Sequence, residues 1–166
     1  FSPWSIAVAG DSAGGNLAVT MMMKLRDCGD PLPAAAACLS PVGQLIGRDV
    51  TRQGRDPLLH PKAMKMFDKS YVGSNDPSDP LISPVFGDWH GLPPLLVHAG
   101  EDEILREDAI RIVGSAKAAG VDARLEIYPR MWHVWQLFSQ LPESARSLDD
   151  VAQFLRAGTT RTGQGA

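Results

Sequence analysis

The sequence has little of what would mark a specialised chain. Only two cysteines, Cys28 and Cys38, occur in 166 residues, too few for a disulfide framework. One lies at an expected helix end and the other in an apolar run, and both are expected as reduced thiols. No apolar stretch approaches the roughly 20 residues of a membrane-spanning helix, and no basic-then-apolar signal opens the chain. A cytoplasmic protein with no membrane partner is therefore expected. The 16 Lys and Arg nearly balance the 19 Asp and Glu, so no nucleic-acid surface is indicated. There are no internal repeats, and neither the G-x-G-x-x-G nor the G-K-[ST] phosphate signature occurs.

Against that background one stretch stands out. Ile6 to Ala9 is a short apolar run that reads as a buried strand. Gly10-Asp11-Ser12-Ala13-Gly14 follows at once, an instance of the G-x-S-x-G nucleophile elbow, in which a serine sits on a strained strand-to-helix turn. The turn demands small neighbours, and Gly10, Gly14 and Gly15 meet that demand. Beyond it Leu17, Met21 and Leu25 recur every four residues, with Ala18 and Met22 beside them, as the apolar stripe of a helix packed on a sheet. A fully apolar strand of this kind belongs inside a parallel sheet, with neighbours on both sides.

The rest of the chain alternates in the same way. Ala34 to Leu39 reads as a second strand, ending at Ser40-Pro41, and a right-handed parallel crossover joins it to the first. Val42 to Pro61 has no clear period and reads as a long loop. Pro61 then opens a helix with a face of Ala63, Met66, Phe67 and Tyr71 that ends near Gly73. Leu95 to Ala99 is a third strand, closed by Gly100, and helical spacing resumes from Leu105 to Ala119. Val121 to Ile127 alternates as an outer strand does. Pro142 opens a last helix with core positions Ala145, Leu148, Val151 and Leu155, and residues 158–166 are expected to form a disordered tail. The fold class is α/β, a mostly parallel sheet with helices on both faces and a ligand site beyond the carboxyl ends of the strands.

A serine nucleophile needs a base, and the base an acid to hold its tautomer. Of four histidines, His98 lies inside an apolar strand and reads as a satisfied core residue, while His60 and His90 sit in surface-like loops. His133 alone stands just past a strand end. An ordinary imidazole there would give activity rising with pH through about 6.5. The third strand delivers three acids, Glu101, Asp102 and Glu103. Asp102 is preferred, because Gly100 permits a sharp turn that points the side chain two residues later back over the sheet. Asp11, on the elbow itself, is expected to point away from Ser12. Trp132 and Trp135 flank His133 and are candidate substrate-binding residues, with the core as their ordinary alternative.

Several ordered blocks resemble one known family: Gly10-Asp-Ser-Ala-Gly-Gly-Asn-Leu-Ala18, Asp56-Pro-Leu, Tyr71-Val-Gly, Asp79-Pro-Leu-Ile-Ser-Pro84, Gly91-Leu-Pro-Pro-Leu-Leu96, Gly100-Glu-Asp-Glu-Ile-Leu105 and Met131-Trp-His-Val-Trp135. They look like the hormone-sensitive lipase family of bacterial esterases, over about Phe1 to Leu155. The resemblance implies an α/β-hydrolase fold and hydrolysis of short-chain acyl esters, with Ser12, Asp102 and His133 as the triad and no metal or cofactor. Such enzymes also carry an upstream His-Gly-Gly segment that supplies most of the oxyanion hole, and an N-terminal cap. Neither is found in this sequence, which leaves the backbone N–H of Ala13 as the expected oxyanion donor. Residues 1–157 are thus expected to form a partial α/β-hydrolase domain lacking the N-terminal strands and cap. Its expected partners are a small acyl ester and either a second copy of the chain or the missing N-terminal half. The alternative function is a catalytically weak fragment that associates through its exposed edge strand.

Overall fold

The computed structural model describes residues 2–47 and 56–161. The apolar runs form four strands, β1 (Ala7–Asp11), β2 (Ala35–Leu39), β3 (Leu95–Gly100) and β4 (Ala123–Tyr128). They are parallel and lie side by side in the order β1-β2-β3-β4. The helices are α1 (Ala13–Cys28), α2 (Pro61–Val72), α3 (Arg106–Ala118) and α4 (Pro142–Arg161). Because side chains alternate along a strand, β2 and β3 feed two separate cores. Ala36, Cys38, Leu95, Val97 and Ala99 pack against α1 and α3, whereas Ala37 and Leu96 meet Val151, Phe154 and Leu155 of α4. Burial raises the Cys38 thiol to about 12 and so keeps it protonated and inert; Cys28 is exposed and both are free.

Two expected helix faces turn out rotated. In α1 the sheet is met by Ala18, Val19, Met22 and Met23, while Leu17 and Met21 are 53% and 40% exposed. They lie with Val8 and Ala9 in an open groove along β1, which is an edge of the four-stranded sheet rather than an interior strand. In α4 the inward residues begin with two serines, Ser144 and Ser147, and Leu148 is 46% exposed. The serines are buried because they have partners. Ser144 Oγ donates to the Trp135 carbonyl, and Ser147 Oγ meets both His98 Nδ1 and Gln136 Nε2. His98 is thus the satisfied core histidine expected, its other nitrogen 3.0 Å from Asp150.

The chain also departs from expectation at its end. Helix α4 continues through Gly158 to Arg161, so residues 158–161 are helical; 162–166 lie outside the described residues, as do 48–55 of the long loop. Gly158 lets the last helix close on β2, since a Cβ there would lie 2.6 Å from the Ala35 Cβ. A Gly158→Ala substitution should therefore lower stability by about 1–3 kcal/mol through overpacking. Gly114→Ala, in the middle of α3 with open space around it, should raise stability by roughly 0.5–1 kcal/mol. Urea midpoints of the two variants check both signs.

Candidate active site

The nucleophile elbow has the geometry its sequence requires. Ser12 takes φ 52° and ψ −117° between β1 and α1, a conformation that an L-residue keeps only when its surroundings enforce it. Its N–H donates to the Leu39 carbonyl at 2.8 Å, and its carbonyl accepts from the N–H groups of Gly15, Asn16 and Val42 at 3.1–3.3 Å. A Cβ on Gly10 would lie 2.2 Å from the Gly14 carbonyl oxygen, and one on Gly15 would lie 2.8 Å from the Pro41 Cβ. Gly10 and Gly15 are thus obligatory. Gly14 has open space beside it, so within this chain the close packing expected there is not required. Asn16 ties the elbow to two loops, its amide donating to the Val42 and Ile82 carbonyls at 3.0 Å each.

His133 arrives from the loop after β4. Its Nε2 lies 2.9 Å from Ser12 Oγ, although 121 residues separate them in sequence. The next residue, Val134, is held at φ 47°, an uncommon conformation for a β-branched residue. Its N–H donates to Ser40 Oγ at 3.1 Å. The carboxylate paired with the other ring nitrogen is that of Glu103, where the sequence reading expected Asp102. Glu103 Oε2 lies 3.9 Å from His133 Nδ1 and accepts a 2.6 Å hydrogen bond from Ser40 Oγ. Glu103 has no solvent exposure; Asp102 is half-buried on the preceding turn, its N–H given to the Met131 carbonyl. The reason lies in the turn. Gly100 passes so close to Met131 and Trp132 that a Cβ would meet the Met131 carbonyl oxygen at 2.3 Å, and the chain swings in at Glu103, followed by buried Ile104 and Leu105. The hint in the sequence was this placement of Glu103 directly before an apolar pair.

The electrostatics of the pair follow from burial. Desolvation lowers His133 to about 4, opposed by the negative charges of Asp56 and Asp11. It raises Glu103 to about 8; hydrogen bonds from Ser40 and the Gly100 backbone oppose that rise, and the charges of Asp56 and Asp108 add to it. Asp11 is exposed at the end of β1 and acts here only through its charge. Among the described residues His133 Nδ1 and Glu103 Oε1 are buried without a hydrogen-bond partner, and Nδ1 looks across 3.9 Å to the other carboxyl oxygen, Oε2.

In front of Ser12 lies a cleft of about 170 Å³, walled by Val42, Leu45, Leu59, Met64, Phe67 and Tyr71. Helix α2 therefore turns its apolar face to this cleft and to solvent; Met66 and Phe67 are 60% and 57% exposed. Ala13, the first residue of α1, also lines the cleft. Its N–H belongs to the helix turn that has no intrahelical acceptor, where the helix dipole favours negative charge. Neither tryptophan flanking His133 lines the cleft. Trp135 is fully buried, 4.9 Å from the Tyr128 ring, and Trp132 stacks edge-on against Phe138 at 5.5 Å. The expectation that they bind substrate is corrected on this geometry. The α2 wall residues are Met64, Phe67 and Tyr71; Phe67 and Tyr71 belong to the helix face expected from the sequence, which carried no link to the site, and Met64 lies outside that expected face. Among the described residues no group of His, Cys, Asp and Glu could hold a metal ion, and no helix is long and apolar enough to cross a membrane.

A sequence model of the α/β-hydrolase fold family matches residues 1–137. An acetyl-hydrolase of Streptomyces hygroscopicus is 41% identical over 98% of this chain and 55% of its own length. The crystal structure of an esterase from the bacterial hormone-sensitive lipase family superposes with a TM-score of 0.91 at 42% identity, covering 96% of this chain and 55% of that one. The chain belongs to the hormone-sensitive lipase family of α/β-hydrolases. Another family relative, an esterase of Acinetobacter venetianus, is 34% identical over 92% of the chain and 52% of its own length. The chain thus spans about half the length of these relatives.

Glu103 is a buried acid whose folded value stands above the 4.5 of an unperturbed glutamate. Below pH 4.5 it is protonated in both folded and unfolded chains and costs nothing. As pH rises from 4.5 towards 8 only the unfolded chain ionises fully, and stability falls by up to about 1.4 kcal/mol per pH unit. The Glu103→Gln variant should therefore be more stable than the parent at pH 7–8 and converge with it near pH 4. The opposite slope from His133 is common to both proteins and cancels in the difference. Thermal melts across pH 4–8 check this.

Proposed function

We propose that this family member is a carboxylic ester hydrolase for short-chain acyl esters, working through an acyl-enzyme intermediate with Ser12 as nucleophile, His133 as general base and Glu103 as the acid behind it. The observation that carries the reading is the 2.9 Å contact between His133 Nε2 and Ser12 Oγ. A serine hydroxyl is a poor nucleophile until a base accepts its proton. In the proposed step Ser12 Oγ attacks the acyl carbonyl carbon as its proton passes to Nε2, and the carbonyl oxygen becomes an oxyanion facing the Ala13 N–H. The tetrahedral species collapses as Nε2 returns that proton to the leaving alcohol. Water then repeats the sequence on the acyl-enzyme and frees the acid. Ionised Glu103 orients the Nδ1–H tautomer and stabilises the imidazolium formed in both halves. The small apolar cleft, lined by Leu59, Phe67 and Tyr71, supports a short acyl chain. The names of the esterase and acetyl-hydrolase relatives point the same way.

A second reading rests on β1. The strand lies at a sheet edge, with Val8, Ala9, Leu17 and Met21 in an open groove beside it. Edge pairing there, with a second copy or with a further segment, is the non-catalytic alternative. Sedimentation of a well-folded monomer would remove it.

Hydrolysis of short p-nitrophenyl esters tests the enzymatic reading. Ser12→Ala should lose activity by about 10³-fold or more, and equal rates would overturn the assignment. The pH profile should differ from that of an ordinary histidine. The active pair is neutral His133 with ionised Glu103, so its last inhibitory proton leaves the glutamate, whose value is raised to about 8. Activity should rise with pH above 6.5, towards 8. Glu103→Gln should be slower by about 10- to 10⁴-fold and, lacking that carboxyl, should show its ascending limb lowered towards 4, where His133 titrates.

A further inference from the structure

We infer that Ser40, which no step above uses directly, is a positioning residue that joins the acid and the base of the site through one hydroxyl. The inference rests on the functional reading just given. Ser40 directly follows β2, is completely buried and is held at φ 48°, an uncommon backbone conformation for a serine that needs no flexibility for its own strand. Its N–H donates to the His98 carbonyl at 2.7 Å, which anchors it to β3. Its hydroxyl donates to Glu103 Oε2 at 2.6 Å and accepts from the Val134 N–H at 3.1 Å. The same Oε2 lies 3.9 Å from His133 Nδ1. One oxygen atom thus fixes where the carboxylate points and where the histidine loop turns. Alanine and glycine lose both contacts because they have no hydroxyl, and a β-branched residue crowds a positive φ.

The hydroxyl also bears on the charge state of the acid. Glu103 is faced by the negative charges of Asp56, from the loop before α2, and Asp108, from α3, and by His133 across the gap. Asp56 is itself occupied, accepting from the Leu58, Leu59 and Ile104 N–H groups, and Asp108 accepts from those of Gly43 and Gln44. Among the groups favouring the ionised carboxylate the Ser40 hydrogen bond is the largest. Without it the carboxyl holds its proton to higher pH and supports the imidazolium less.

Ser40→Gly tests this, because glycine accepts φ 48° freely while removing the hydroxyl together with its Cβ. In ester hydrolysis it should lower kcat about tenfold or more with KM changed less than about twofold. The ascending pH limb should move up by about half a pH unit or more. Placed in the Glu103→Gln background, the same substitution should lower kcat several-fold less than in the parent, because the carboxylate is gone and only the Val134 N–H contact is left to lose. An equal loss in both backgrounds, or an unmoved limb, would reduce Ser40 to a packing residue and overturn the inference. Should Ser40→Gly fail to fold, Ser40→Cys keeps the volume with a weaker donor and faces the same criteria. A ¹³C titration of the Glu103 carboxyl in Ser12→Ala protein, with and without Ser40→Gly, needs no turnover. An upward move of its midpoint supports the inference even if the hydrolase reading falls, and an unchanged midpoint sinks it even if that reading stands.

Discussion

A serine at φ 52° and ψ −117° is the constraint on which the rest depends. Such a conformation costs on the order of 1–3 kcal/mol, and the chain holds it from both sides of the elbow. The Leu39 carbonyl takes the Ser12 N–H, three backbone N–H groups converge on its carbonyl, and Gly10 and Gly15 let the chain pass where no Cβ fits. One of those N–H groups is that of Val42, just past the Ser40-Pro41 turn. The end of β2 is thereby locked to the elbow, and the end of β2 in turn holds Glu103 and the histidine loop. Strain recurs after three of the four strands: Ser12 follows β1, Ser40 follows β2, and Arg130 and Val134 follow β4, and these are the non-glycine residues at positive φ among those described. The parallel sheet brings these ends to one side, so that three residues from separate connections meet there.

Much of this was readable from the chain itself, for a physical reason. Strands buried on both faces are written as uninterrupted apolar runs, and the elbow needs glycines at fixed offsets; both leave marks in the order of residues. The acid was not readable in the same way. Three consecutive acids follow Gly100, and which one turns inward depends on dihedral angles of a turn whose shape is set by the distant Met131–Trp132 backbone. The local freedom of Gly100 points to Asp102, whereas the long-range contact with the Met131–Trp132 backbone favours Glu103. The tryptophans failed for a related reason. Trp135 precedes a helix whose inner face opens with serines instead of leucines, and the Ser144 bond to its carbonyl draws it into the core. A hydropathy stripe finds Leu148 and passes over Ser144 and Ser147, because it registers apolarity and cannot see that a buried hydroxyl has found a partner.

The site also shows two demands in opposition. A glutamate with no solvent exposure, facing two further carboxylates, is a poor choice for stability. It suits the proposed role of an acid behind a histidine in a dry environment, where the interaction is strong because water does not screen it. The Ser40 hydroxyl, the Asp56 cap on the Ile104 N–H and the Asp108 clamp on the Gly43-Gln44 turn are the local means by which the fold keeps such a carboxylate in place.

The place of β1 at the rim of the sheet has a consequence for motion. A strand hydrogen-bonded along one side only is the first to loosen in thermal fluctuations, and this one carries Ser12, the proposed nucleophile, at its tip. In the chain as it stands the amides of Val8 to Asp11 should exchange with solvent well before those of β3. The serine would then drift out of reach of its histidine while most of the protein is still folded. A segment paired along that rim, acting far from the cleft and touching none of its atoms, would quieten Ser12 and hold the proposed site together to higher temperature.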